Sequence, residues 1–251
     1  MEPLLLKTWV RRHCFRRAEG LFEVWFCLSQ ASLPDLVAKK SEFLSEAELQ
    51  YFQPLRAEAR QRSFLLGRCC VKEALAACTG LSDREAWEVY PGVFQQPVLR
   101  GPGTQNLQTS LSHSGTAGVA VLHPEAHPMA VDIERINGDR REAVQSQMTA
   151  AEQALVIGLA GRPEENLMLV WSAKEALSKV LRTGLMTPFT LYELENLVWD
   201  SGCLLGTFRN FAQYRLIAFA LRDLAFALVL PKKSELDCPL AEFKRGLAEA
   251  V

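Results

Sequence analysis

The chain has 251 residues, enough for one large domain or two small ones. Its 49% hydrophobic and 23% charged residues are the proportions of a soluble globular protein, and a formal net charge of −1 provides no bulk basic field for nucleic acid. No apolar run approaches membrane-spanning length, so no membrane partner is expected. Leu4-Leu5-Leu6 is too short for a signal-peptide core, and the cluster Arg11, Arg12, Arg16 and Arg17 reads as a basic surface.

In chain order, Leu21–Leu28 is strand-like, and Ser45 with Glu48 forms a capping box that opens a helix. Residues 54–78 read as a long helix. Residues 91–106, with Pro91-Gly92, Pro97 and Gly101-Pro102-Gly103, read as a loop. Leu107–Leu111 and Val119–Leu122 look like short strands around a turn at Gly115–Gly118. His123-Pro124 and His127-Pro128 interrupt the pattern and place a boundary near 123–129. Thr149 with Glu152 forms a second capping box, and 165–182 reads as helix. Phe189–Trp199, Leu204–Phe211 and Tyr214–Leu221 alternate like an antiparallel meander, Ala225–Leu230 like a further strand, and a short helix can start at Leu240. Each capping box follows a strand-rich stretch, around Leu21–Leu28 and Gly118–Glu134, which hints at an internal duplication. Seven cysteines show no metal-finger spacing. Cys27, Cys69, Cys70 and Cys203 sit in apolar patterns and are expected to be buried thiols of a reducing compartment, hence the cytoplasm.

Two segments carry the chemistry. In Ala130-Val131-Asp132-Ile133-Glu134, an extended chain turns Val131 and Ile133 into a core and Asp132 and Glu134 to the other face, about 6–7 Å apart. Two carboxylates so placed can share a hard cation such as Mg²⁺ while leaving coordination positions to water and phosphate. The same pattern also describes an edge strand with a solvated acidic face. In Trp171-Ser172-Ala173-Lys174-Glu175-Ala176-Leu177-Ser178-Lys179, the residues Ala173, Ala176, Leu177, Val180 and Leu181 form one helical stripe. Glu175 and Lys179 share the opposite face, with Lys174 on its flank; alone, they also suit an ordinary surface ion pair. Upstream, Arg60, Arg62, Arg68 and Lys72 flank an apolar helix as phosphate-binding candidates or as snorkelling surface groups.

In this order and spacing, the two segments resemble the signature of 4′-phosphopantetheinyl transferases of the larger, surfactin-synthetase-activating type. Ser112-His113-Ser114 and the arginine-bearing helix around Arg60–Lys72 resemble two further family elements. The resemblance implies an α+β fold of two similar halves packed as a pseudo-dimer, each with a small antiparallel sheet and helices, divided as 1–126 and 127–251. It implies transfer of the phosphopantetheine arm of coenzyme A to a serine of an acyl or peptidyl carrier protein of fatty acid, polyketide or nonribosomal peptide synthesis. It further implies Mg²⁺ on Asp132, Glu134 and Glu175, with Glu175 as general base and Lys179 stabilising the leaving nucleotide. Arg60, Arg68, Ser112, His113, Lys174 and Lys179 would bind coenzyme A, and one chain would form a complete monomeric enzyme. The chain departs from the family pattern in two places. Ala130 stands where glycine is usual, and Gln95-Gln96-Pro97 stands where many relatives carry a lysine, for which Arg100 could substitute. A metal-dependent phosphohydrolase and a non-catalytic phosphopantetheine- or carrier-binding module are the alternative readings.

Overall fold

A computed structural model describes residues 7–249, with the side chain of Leu185 excepted; Leu4–Leu6 lie outside the described residues. Two five-stranded antiparallel sheets dominate. The first contains β1 (Thr8–Arg17), β2 (Gly20–Gln30), β5 (Leu107–Ser114), β6 (Ala117–Pro124) and the short β12 (Glu235–Leu236), in the order β12-β1-β2-β6-β5. The second contains β7 (Ala130–Arg135), β8 (Leu194–Asp200), β9 (Cys203–Phe208), β10 (Tyr214–Leu221) and β11 (Leu224–Pro231), in the order β7-β11-β10-β9-β8. A separate hairpin joins β3 (Glu88–Pro91) to β4 (Pro97–Arg100). The helices are α1 (Leu33–Lys39), α2 (Glu46–Phe52), α3 (Glu58–Thr79), α4 (Arg141–Gln145), α5 (Ala150–Gly158), α6 (Pro163–Val180) and α7 (Leu240–Ala248). None of them is long and apolar enough to cross a membrane.

The largest core is shared between the sheets. Phe15, Val24, Phe26 and Leu28 of the first pack with Val131, Ile133, Phe219, Phe226 and Leu228 of the second, and Phe243 and Leu247 of α7 join them. Helix α3 covers the first sheet through Cys70, Val71, Ala74 and Leu75. It lies close because the facing positions are glycines: a Cβ on Gly118 would stand 3.1 Å from Cys70 Sγ, and one on Gly67 would stand 3.2 Å from Leu111. Helix α6 covers the second sheet in the same way through Leu169, Ala173, Ala176 and Leu177.

The duplication is explicit in two matching buried ion pairs. Glu48, third residue of α2, accepts the Ser45 backbone N–H (3.0 Å), the ammonium of Lys72 from α3 and the Val89 N–H (2.9 Å); Lys72 Nζ also donates to Phe43 O (2.6 Å). Glu152, third residue of α5, accepts the Thr149 N–H (2.9 Å), the ammonium of Lys174 from α6 (2.7 Å) and the Leu194 N–H (3.0 Å); Lys174 Nζ donates to Gln147 O (3.0 Å). In each half the capping box therefore ends on a buried lysine from the long helix. Lys72 and Lys174 are fully buried.

Several elements depart from the sequence reading. β1, α1 and α4 form where no element was expected. The supposed loop 91–106 contains β4, and the start of the supposed strand Phe189–Trp199 is a 3-10 turn over Phe189–Tyr192. Cys27, Cys69, Cys70 and Cys203 are buried free thiols, as expected.

Candidate active site at the join of the two halves

The edge strands β5 and β7 meet side by side, and serines connect them. Ser110 Oγ accepts the Val131 N–H at 3.3 Å, Ser112 Oγ donates to Asp132 Oδ1 at 2.7 Å, and Ser114 Oγ lies 3.4 Å from Glu134 Oε2 while accepting the Arg135 N–H at 3.0 Å. These three serines share one face of β5 because they are two residues apart. The alternation of β7 is as expected: Val131 and Ile133 are buried in the shared core, and Asp132 and Glu134 turn toward the serines.

Helix α6 packs on β7 and brings Glu175 and Lys179 to this join. Lys179 Nζ donates to carbonyls on both edge strands, Leu111 O (3.1 Å) and Val131 O (3.3 Å), and to Asp132 Oδ1 (2.7 Å). Burial pushes the Glu175 carboxyl up to about 7, with the negative charges of Asp132 and Glu134 adding to the shift and Lys179 and Arg140 opposing it. Glu134 is likewise raised, first by burial and then by Asp132, although Arg140 donates to its Oε1 at 3.2 Å. The three carboxylates thus share one electrostatic neighbourhood. Their oxygens stay more open than the mutual 4.8 Å spacing of a closed ligand set. The donor set fits a hard cation: all three ligands are carboxylates, and Asp132 Oδ2 is buried without a hydrogen-bond partner.

The other expected site residues fall into three groups. His113 stands at the rim with its Nε2 hydrogen-bonded to Ser63 Oγ; its pKa is lowered, first by burial and then by Lys179. Arg60 is exposed in the first turn of α3, one helical turn before Ser63. Arg68 lies two turns further on, about 12 Å along the helix axis from Arg60. Its guanidinium sits 3.9 Å from the centroid of Phe64, and its Nη2 donates to Val89 O at 3.1 Å. Lys174 is held apart from the other site residues, its Nζ bound to Glu152 and Gln147 O in the core. The flank position read from the helical wheel is therefore inward. Arg100 stands over Tyr90, 4.8 Å from its ring centroid, and 3.5 Å from Glu88.

A cleft of about 560 Å³ opens beside Lys179. Tyr51, Phe64, Arg68, Tyr90, Gln96 and Arg182 help line it. The Gln95-Gln96-Pro97 stretch forms the tip of the β3–β4 hairpin over this cleft. The sequence pattern did not point to the cleft, because its aromatic walls come from separate elements.

The two-halved α+β fold and the acidic, cation-suited join between its sheets leave the class of protein open. Comparison with known proteins narrows it. The profile described as "4′-phosphopantetheinyl transferase superfamily" matches residues 128–229. A "Holo-[acyl-carrier-protein] synthase" of Exiguobacterium sp. is 34% identical over 90 residues, covering 33% of this chain and 71% of that protein. The chain belongs to the 4′-phosphopantetheinyl transferase superfamily.

Proposed function

We propose that this protein transfers the 4′-phosphopantetheine arm of coenzyme A to a serine of an acyl or peptidyl carrier protein, converting the apo carrier to its holo form. The observation that carries this reading is Lys179. Its ammonium lies between the two sheets, bound to Asp132, and the same side chain lines a cleft with room for a nucleotide.

Asp132, Glu134 and Glu175 are the residues that would hold Mg²⁺. When bound, the ion supplies charge neutralisation to the pyrophosphate. Ser112 and Ser114 hold the two β7 carboxylates in orientation. Lys179 exchanges Asp132 for phosphate oxygens and stabilises the departing adenosine 3′,5′-bisphosphate. Glu175 accepts the proton of the carrier serine directly or through one water. The serine oxygen then bonds to the β-phosphorus while the bond from that phosphorus to the oxygen bridging it to the nucleotide breaks. His113, Arg60 and Arg68 are assigned to the 3′-phosphate end of coenzyme A; the two arginines serve one phosphate only if it lies between them. Lys174 is assigned to the fold. Residues 1–126 contribute the nucleotide-phosphate groups and 127–251 the acidic and proton-transfer groups, so that a single cytoplasmic monomer forms the whole site.

The test is mass spectrometry of several apo carriers after incubation with coenzyme A and Mg²⁺. The expected result is a mass gain of one phosphopantetheine arm on at least one carrier. Hydrolysis of coenzyme A without carrier would establish a phosphohydrolase instead, and metal-independent binding without modification would establish a binding module.

A further inference from the structure

A second ligand cluster lies at the opposite edge of the first sheet, three strand spacings or roughly 14 Å from β5. After β12, Asp237 and Cys238 come back against His13 of β1. Asp237 Oδ2 accepts the Cys14 N–H at 2.8 Å, which fixes the carboxylate. Its Oδ1 lies 3.1 Å from His13 Nδ1, and Cys238 Sγ lies 3.7 Å from that same nitrogen. All three ligand atoms lie within 4.8 Å of one another; among the described residues, this is the group that closes so tightly.

A hydrogen-bond network explains this arrangement poorly. One ring nitrogen cannot both donate to the carboxylate and accept from the thiol. With Nδ1–H donating to Asp237 Oδ1, the sulfur of Cys238 is left as a weak contact; with Nδ1 accepting from the thiol, Oδ1 loses this donor and only Oδ2 stays bonded, to the Cys14 N–H. A cation held between the three atoms satisfies all of them. Tetrahedral Zn²⁺, with about 2.0–2.1 Å to nitrogen, 2.0–2.2 Å to oxygen and 2.3 Å to sulfur, sets an N···O edge of about 3.4 Å and an N···S edge of about 3.6 Å. The separations found, 3.1 and 3.7 Å, are within a few tenths of an ångström of these. The imidazole is already oriented, edge-on to Phe26 (5.9 Å between centroids) and Phe243 (5.2 Å). Its side chain is 14% exposed against 39% for Asp237, so water can reach the cluster from the carboxylate side.

We propose that His13, Asp237 and Cys238 form a three-ligand site for a divalent cation of the Zn²⁺ class, open to water at a fourth position, that staples the C-terminal segment to β1. The mixed nitrogen, oxygen and sulfur set suits zinc and disfavours magnesium, so the site is chemically distinct from the acidic trio.

The test uses the whole chain, stripped of metal by a chelator and titrated with Co²⁺ as the spectroscopic substitute for Zn²⁺. The expected result is one equivalent bound with a thiolate-to-cobalt charge-transfer band, displaced by Zn²⁺ and insensitive to excess Mg²⁺. Cys238→Ser and His13→Gln abolish the band, and Cys14→Ser keeps it. The His13 variant retains every cysteine, so it decides the matter even if Cys238→Ser fails to fold. No band in the unaltered chain, or a band that survives both substitutions, overturns the proposal. The acidic trio contributes no sulfur, so failure here leaves the transferase reading untouched.

Discussion

Lys174 and Glu175 are neighbours in sequence with opposite environments. The lysine enters the core and binds Glu152; the glutamate faces Asp132 and Glu134. Glu175→Gln removes the proposed base while keeping shape, so transfer is expected to fall about 10²–10⁴-fold with an almost unchanged melting temperature. Holo-carrier formation and a thermal melt check this, and turnover within about tenfold of the parent removes Glu175 from the role. His113, held below the usual histidine range in the free protein, would charge on meeting a phosphate. The affinity ratio of coenzyme A to its dephospho form is therefore expected to rise as pH falls, and to become flat in His113→Ala. Isothermal titration at several pH values measures it. The acidic residues were legible in the sequence because a period of two and a period of 3.6 each fix which face a side chain takes. The burial of Lys174 was not, because it depends on where Glu152, 22 positions earlier, ends its capping box.

The join of β5 and β7 is built from side chains where a sheet would use a backbone ladder. Removing the supporting hydroxyls, as in Ser112→Ala and Ser114→Ala, is expected to weaken divalent cation binding about 10–100-fold without loss of fold. Mn²⁺ titration followed by electron paramagnetic resonance reads this directly, and unchanged affinity in both variants would free the serines from that task. The buried lysines make an independent test. Lys174→Met leaves Glu152 without its cation in the core and is expected to cost about 3–5 kcal/mol in urea unfolding, whereas Lys72→Met is expected to cost less because Arg68 Nε remains 3.8 Å from Glu48. Where Lys174→Met still folds, its cation affinity should match the parent's; a selective loss of coenzyme A binding would return this lysine to the site. The long helices and most strands were readable from periodicity. β1 was hidden because Arg11, Arg12, Arg16 and Arg17 mask the inward pair Trp9 and Phe15. β4 was hidden because Pro97 normally signals a loop, yet it opens a strand of an isolated hairpin, where a missing N–H is tolerated.

Across the whole molecule, the two halves are not separate bodies, since their sheets share the largest core. Two histidines near the linker register that burial. His123 and His127 are both pushed down to about 4 from 6.5, chiefly by burial. His127 packs against the rings of Phe15 and Phe22 and hydrogen-bonds Ser234. As pH falls from 6.5 to about 4 the unfolded chain takes up these protons and the folded one does not, so stability is lost across that window. His127→Gln is expected to reduce the pH-dependent loss by on the order of 2 kcal/mol, read from urea unfolding at the two ends of the window. The repeat itself was visible as two capping boxes. The sharing of one core and the meeting of His13 with Cys238 were not, because contacts between positions 225 apart leave no local spacing to read.

The return of residues 235–238 to the first strand also bears on how the chain comes off the ribosome. Cys14 and Asp237 are 223 positions apart, so the outer rim of β1 waits for the synthesis of that whole stretch before its neighbour exists. During that interval it is an open template for pairing with other nascent chains. Arg11, Arg12, Arg16 and Arg17, which add nothing to the proposed chemistry, would repel a second copy of the same strand, and so guard the half-built sheet until its last member arrives.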